Sequence, residues 1–125
     1  MKLWIDDVRP APEGYDWLYS VNEAKQAILY YEEMLEHTKK LIEIYEDLSC
    51  DTSHFRHWLE EYQIEIIDID HDAGDYACYG GDYIKLLDWL EETGRNYPIR
   101  IHSMNPVGVE NMRSIIQRNG WTEAR

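Results

Sequence analysis

The sequence predicts an α/β domain built on a parallel sheet of four to five strands. Short apolar runs alternate along the chain with segments whose apolar residues recur at helical spacing. That order calls for parallel strands joined by right-handed crossovers. The apolar runs also end alike: Ile5 gives way to Asp6-Asp7, Ile69 to Asp70-His71-Asp72, and Ile101 to His102-Ser103-Met104-Asn105. In an open parallel sheet the carboxyl ends of neighbouring strands share one edge, where ligands bind.

Each element follows from local sequence. Lys2 to Ile5 is a compact first strand. Two prolines and a glycine bar Arg9-Pro10-Ala11-Pro12-Glu13-Gly14 from helix and from central strand. Tyr15 to Tyr19 suits a second strand, and Ser20 with Glu23 reads as a capping box that opens a helix. That helix is long, because Ala24, Ala27, Ile28, Tyr31, Met34 and Leu35, then Leu41, Ile42, Tyr45 and Leu48, keep the 3–4 spacing with only Thr38 intruding. Ser49 to Ser53 turns the chain, and Phe55, Trp58, Leu59 and Tyr62 mark a second, shorter helix. The two form a helical hairpin over about 21–62, its apolar stripe serving internal packing or, as the rival use, a homodimer interface.

Ile64 to Ile69 is the third strand, with Asp68 inside it as an anomaly expected to cap or pair internally. A polar loop from Asp70 to Gly81 follows. Asp82 is then expected to cap a helix carrying Ile84, Leu87 and Leu90, which Gly94 stops. Ile99 to Ile101 is the fourth strand. Asn105 and Pro106 supply an N-cap and first-turn pair for a helix carrying Val109, Met112, Ile115 and Ile116. Gly120 ends it, and Trp121-Thr122 begins at most the stub of a last strand.

Composition narrows the function classes. A chain of 125 residues, 44 % hydrophobic with five Trp and ten Tyr, is read as one folded domain over 1–125. A net charge of −13 argues against binding extended duplex DNA, which needs clustered Lys and Arg, but allows a small phosphorylated substrate or an RNA end. Residues 21–65 hold eleven Asp/Glu against four Lys/Arg, so much of the charge belongs to the helical pair. Cys50 and Cys78 lack any C-x-x-C or zinc-like spacing and are expected to be buried or inert. Asp6-Asp7 interrupts the only early apolar stretch and no run reaches membrane-spanning length, so no membrane association and a reducing, cytoplasmic setting are expected.

The chemistry lies in the strand endings. Adjacent acids such as Asp6 and Asp7 suit Mg²⁺ or Mn²⁺, which prefer oxygen ligands, and otherwise form a solvated acidic turn. Arg9 is placed either to meet an anionic substrate or to form a surface ion pair. Asp70 suits a metal ligand or a nucleophile, and His71 or Asp72 a general acid or base. His102 and Ser103 end the fourth strand beside Asn105 and a helix N-terminus, which presents free N–H groups to a phosphate. His37, His54 and His57 fall in the helical pair as surface residues. Gly74, Gly80 and Gly81 form no phosphate-binding loop.

Three runs in order, Ile5-Asp6-Asp7-Val8-Arg9-Pro10, Asp70-His71-Asp72-Ala73-Gly74 and His102-Ser103-Met104-Asn105-Pro106, resemble the cyclic-phosphate-processing receiver-like family, a variant of the response-regulator receiver domain. The resemblance implies a receiver-like (flavodoxin-like) three-layer fold, with the helical hairpin as an elaboration. It also implies activity on cyclic phosphate ends, in a family associated with RNA repair. It puts Asp6, Asp7 and Asp70 on the acidic pocket and Ser103 where a receiver keeps Ser or Thr, and it makes His71, Asp72 and His102 the family's additions. Two departures from a receiver stand out: a Pro-rich loop replaces the first helix, and no lysine near Trp121 completes a phosphoacceptor site. The expectation is a metal-assisted phosphoesterase. Asp6, Asp7 and Asp70 hold the metal, Asp70, His71, Asp72 and His102 carry the chemistry, and Arg9, Ser103 and Asn105 bind the phosphate. The alternatives are a signalling module phosphorylated on Asp70, a sensor of phosphorylated ligands, or an interaction protein working through the hairpin.

Overall fold

A computed structural model describes residues 1–125. Four strands, β1 (Lys2–Ile5), β2 (Tyr15–Leu18), β3 (Ile66–Ile69) and β4 (Ile99–Ile101), form one parallel sheet in the order β2-β1-β3-β4. The helices are α1 (Val21–Asp47), α2 (Ser53–Tyr62), α3 (Ile84–Glu92) and α4 (Pro106–Asn119). Beyond α4 the sheet gains only one isolated bridge, Ile99 to Glu123, and no fifth strand.

Strand register divides the sheet into two unlike faces. Leu3, Ile5, Leu18, Ile67, Ile69 and Ile99 point one way and join Val21, Ala24, Ile28, Leu86, Leu87, Leu90, Met112, Ile115 and Ile116 in a single core. Lys2, Trp4, Tyr15, Trp17, Ile66, Asp68 and Arg100 point the other way. Helices α1, α3 and α4 therefore pack on one face, and the three-layer arrangement expected from the resemblance is in fact two layers. The cause is the chain path. From β2 to β3 and on to β4 the strands advance in one direction, and right-handed crossovers then put every helix on the same side. Only the step from β1 back to β2 would send a helix to the opposite side. Residues 6–14 make that step as a loop, shorter than the dozen or more residues usual for a parallel connection.

Ser20 caps α1 by accepting from Glu23 N at 3.1 Å. The apolar stripe of α1 packs inward against the core at Ala24 and Ile28 and, further along, against α2, where Tyr45 and Phe55 stack at 5.0 Å. Thr38, the intrusion in the stripe, is buried and satisfied by donating to Met34 O at 2.8 Å. His37, His54 and His57 are exposed, as expected. Of the two readings of the cysteines, burial does not hold: Cys50 and Cys78 are both exposed, outside the core. The loop after β3 contains a 3₁₀ helix, Gly74–Tyr79, that polarity alone does not reveal. Asp82 does not cap α3, which starts later at Ile84. Its carboxylate accepts from Ala73 N at 3.1 Å and ties the two ends of that loop together. No helix is long and apolar enough to cross a membrane.

Candidate functional site

The three polar strand endings meet at one edge. Asp70 N donates to Ile5 O and His102 N to Ile69 O, so the ladder runs one residue past each strand and aligns the endings. One carboxylate oxygen from each of Asp6, Asp7 and Asp70 lies within 4.8 Å of the other two. A set of three carboxylates at this spacing suits a hard, oxygen-preferring divalent cation.

The two adjacent aspartates are in opposite electrostatic states. Asp6 is fully buried; its Oδ1 accepts from the N–H groups of Val8 and Arg9, each at 2.9 Å, which folds the loop back on the strand end. Its Oδ2 lies 2.9 Å from His102 Nε2. Burial alone would raise the Asp6 carboxyl, but these donors outweigh it and hold Asp6 below the ordinary carboxylate range. Burial raises Asp7, its own N–H pulls the other way, and the charges of Asp6 and Asp70 add to the rise. Tyr83 is wholly buried, donates from its hydroxyl to Tyr19 O, and is pushed up by burial and by these same three acids.

The two histidines differ as sharply. His102 Nδ1 lies 2.6 Å from Asp68 Oδ1 and its Nε2 faces Asp6, while Trp4 stacks on the ring at 3.8 Å with planes 6° apart. Asp68 Oδ2 accepts from Arg100 Nη1 at 2.9 Å, so Arg100, Asp68, His102 and Asp6 form one continuous chain of polar contacts. Asp68 thus pairs internally, as its place in the strand suggests. His71 engages only one ring nitrogen strongly: Nδ1 lies 2.9 Å from Asp72 Oδ1, and Nε2 has no protein partner.

Two glycines set close approaches. Gly108, inside α4, lies against the His71 ring, and a Cβ there would overlap it. Gly74 has φ +55°, and a Cβ there would overlap Asp7 Oδ2. At the start of α4, Asn105 Oδ1 accepts from Gly108 N at 3.0 Å, while its Nδ2 reaches toward Asp72 at 3.4 Å. Ser103 Oγ accepts from Asn105 N at 3.1 Å and keeps its own proton free. Pro106 has no N–H and Val109 N bonds to Asn105 O, so Val107 N–H is the first-turn donor left for an anion. Arg9 is exposed and in no ion pair.

The family model for the cyclic-phosphate processing receiver domain matches residues 1–118. The chain belongs to this family. No curated protein and no solved structure shows a match. The stretch matched to the cyclic-phosphate processing receiver domain includes α1 and α2, which sequence alone sets apart as an elaboration. Several residues of this receiver domain's site escape a reading of strand endings. Trp4 and Arg100 lie within strands, and nothing local announces that one stacks on His102 and the other holds Asp68. Gly108 did carry a signal, since glycine inside a helix is unfavourable unless another group must come close.

The state of Asp7 has a measurable consequence. Its carboxyl binds a proton more tightly folded than unfolded, so its ionisation, complete above the carboxylate range, subtracts from stability. With divalent ions chelated, Asp7→Asn is expected to raise the thermal midpoint at pH 7. The gain is expected to shrink as the pH falls to where Asp7 is protonated. A midpoint lowered at pH 7 would contradict the repulsion described here.

Proposed function

We propose that this domain is a divalent-metal-assisted phosphoesterase that opens a cyclic phosphate on a nucleotide or RNA end. The observation that carries the reading is the meeting of three carboxylates at one sheet edge, with His71 directly after Asp70 keeping one ring nitrogen without a protein partner. Asp6, Asp7 and Asp70 would hold Mg²⁺ or Mn²⁺, and the bound ion would offset their charge and polarise a phosphoryl oxygen. Asp72 fixes the Nδ1–H of His71, which leaves Nε2 as the acceptor for a proton from the attacking water. The water oxygen bonds to phosphorus and one ring P–O ester bond breaks, giving a phosphomonoester and a free hydroxyl. The water proton goes to His71 Nε2, and the leaving oxygen takes a proton from solvent. Of the two imidazoles expected to share this work, His102 has both nitrogens engaged; in this reading it holds Asp6 in place. Ser103 Oγ–H, Val107 N–H and the unpaired Arg9 bind the non-bridging oxygens, and Asn105 supports them by capping α4.

Purified protein with Mg²⁺ or Mn²⁺ is expected to hydrolyse at least one member of a panel of 2′,3′-cyclic nucleotides and cyclic-phosphate RNA ends, with activity lost on chelation. No turnover across the panel would sink the reading. Stable phosphorylation of Asp70 by a small phosphodonor, abolished in Asp70→Asn, would instead favour a phosphoacceptor module.

A further inference from the structure

Beside the acid cluster runs a line of aromatic rings that neither the fold nor the phosphate chemistry uses. Trp17 and Tyr19 stack with centroids 4.8 Å apart, Tyr19 and Tyr76 lie 5.4 Å apart, and Tyr76 and Tyr79 lie 6.4 Å apart. The line starts at the end of β2, the edge strand of the sheet, and crosses to the 3₁₀ helix Gly74–Tyr79. Tyr76 is 37 % exposed and Tyr79 56 %. Tyr31, Tyr83 and Tyr97 each donate from their hydroxyls to a protein acceptor, whereas Tyr19, Tyr76 and Tyr79 donate to none. These rings are therefore not fastened by their hydroxyls as Tyr31, Tyr83 and Tyr97 are.

The line is tied directly to the acids. Trp17 Nε1 donates to Asp6 O at 2.8 Å, and Tyr83 donates to Tyr19 O from beneath. Gly74, which opens the 3₁₀ helix carrying Tyr76 and Tyr79, rests against Asp7. The same backbone contacts thus fix the acids and the rings relative to each other. A chain of net charge −13 gains little from gripping a run of phosphates, so recognition of a nucleotide must draw on its uncharged part. Aromatic side chains provide that by stacking on the π-face of a base.

We propose that Tyr19, Tyr76 and Tyr79, backed by Trp17, form a shelf on which the nucleobase of a nucleoside cyclic phosphate stacks while its phosphate lies at the acid cluster. The proposal rests on reading that cluster as the phosphate site, and it narrows the substrate to one that carries a base next to the phosphorylated sugar. Stacking does not need the tyrosine hydroxyl, so phenylalanine should serve in place of Tyr76 and alanine should not.

The test compares adenosine 2′,3′-cyclic phosphate with glycerol 1,2-cyclic phosphate, which keeps the cyclic diester and lacks the base. Both are titrated into the intact protein with Mg²⁺ present, by calorimetry and by tryptophan fluorescence. The nucleotide is expected to bind roughly 5- to 100-fold more tightly than the glycerol compound, the range that stacking on an aromatic side chain provides. Tyr76→Ala is expected to remove that advantage, Tyr76→Phe to keep it, and neither to change the affinity for the glycerol compound. Equal binding of the two compounds by the unmodified protein, or an advantage that survives Tyr76→Ala, overturns the shelf and leaves the phosphate site standing. Binding of neither compound overturns both.

Discussion

His71→Ala is expected to lower turnover of a cyclic-phosphate substrate by about 10²–10⁴-fold, the contribution of a positioned general base, while leaving substrate binding nearly intact. The reason is the asymmetry of the ring: Asp72 holds Nδ1 at 2.9 Å and nothing in the protein holds Nε2. A second substitution reaches the same nitrogen from outside. Gly108→Ala suits a helix better than glycine, yet its Cβ would overlap the His71 ring, so activity should fall although His71 is still present. Steady-state kinetics on both variants, with circular dichroism to confirm folding, check this. Full activity in His71→Ala would remove His71 from the chemistry.

Asp68→Ala is expected to destabilise the fold by about 1–3 kcal/mol, because removing one partner leaves a buried polar group without its hydrogen bond. Asp68 has no exposed surface and holds His102 through one oxygen and Arg100 through the other. Its loss leaves the nearly buried His102 ring with a single acceptor, Asp6. For a chain of this size the loss corresponds to a fall in thermal midpoint of roughly 3–12 °C. Arg100 keeps 46 % of its side chain exposed, so Arg100→Ala should cost far less, as exposed pairs do. Equal and small losses in the two variants would show that Asp68 is no anchor.

Much of this was legible in the chain, and the limits are physical. Strands and helices announced themselves through periodicity, and Asp6, Asp7, Asp70, His71 and His102 through abrupt changes from apolar to polar. What separates the two histidines is tertiary. His102 and Asp68 are brought together by the β3–β4 register, and His71 meets Gly108 only when α4 packs behind it. At Asp82 a helix cap and a loop tie share the same local sequence, and only the distance to Ala73 tells them apart. The number of layers differs from the resemblance because a receiver carries a helix between β1 and β2 that the prolines at 10 and 12 exclude here.

That missing layer has a consequence for what a strand can carry. Under helices on both sides, every strand residue faces an apolar neighbour and the run must be apolar throughout. Here β3 and β4 each split into a packing row and a charged row. Ile67, Ile69 and Ile99 hold the sheet to its helices, while Asp68 and Arg100, on the same strands, are free to bear charge. The support of Asp6 at the rim therefore extends into the sheet itself, through His102 and Asp68. Laying a helix over that side would close the sheet and leave Asp68 and His102 no room to do this.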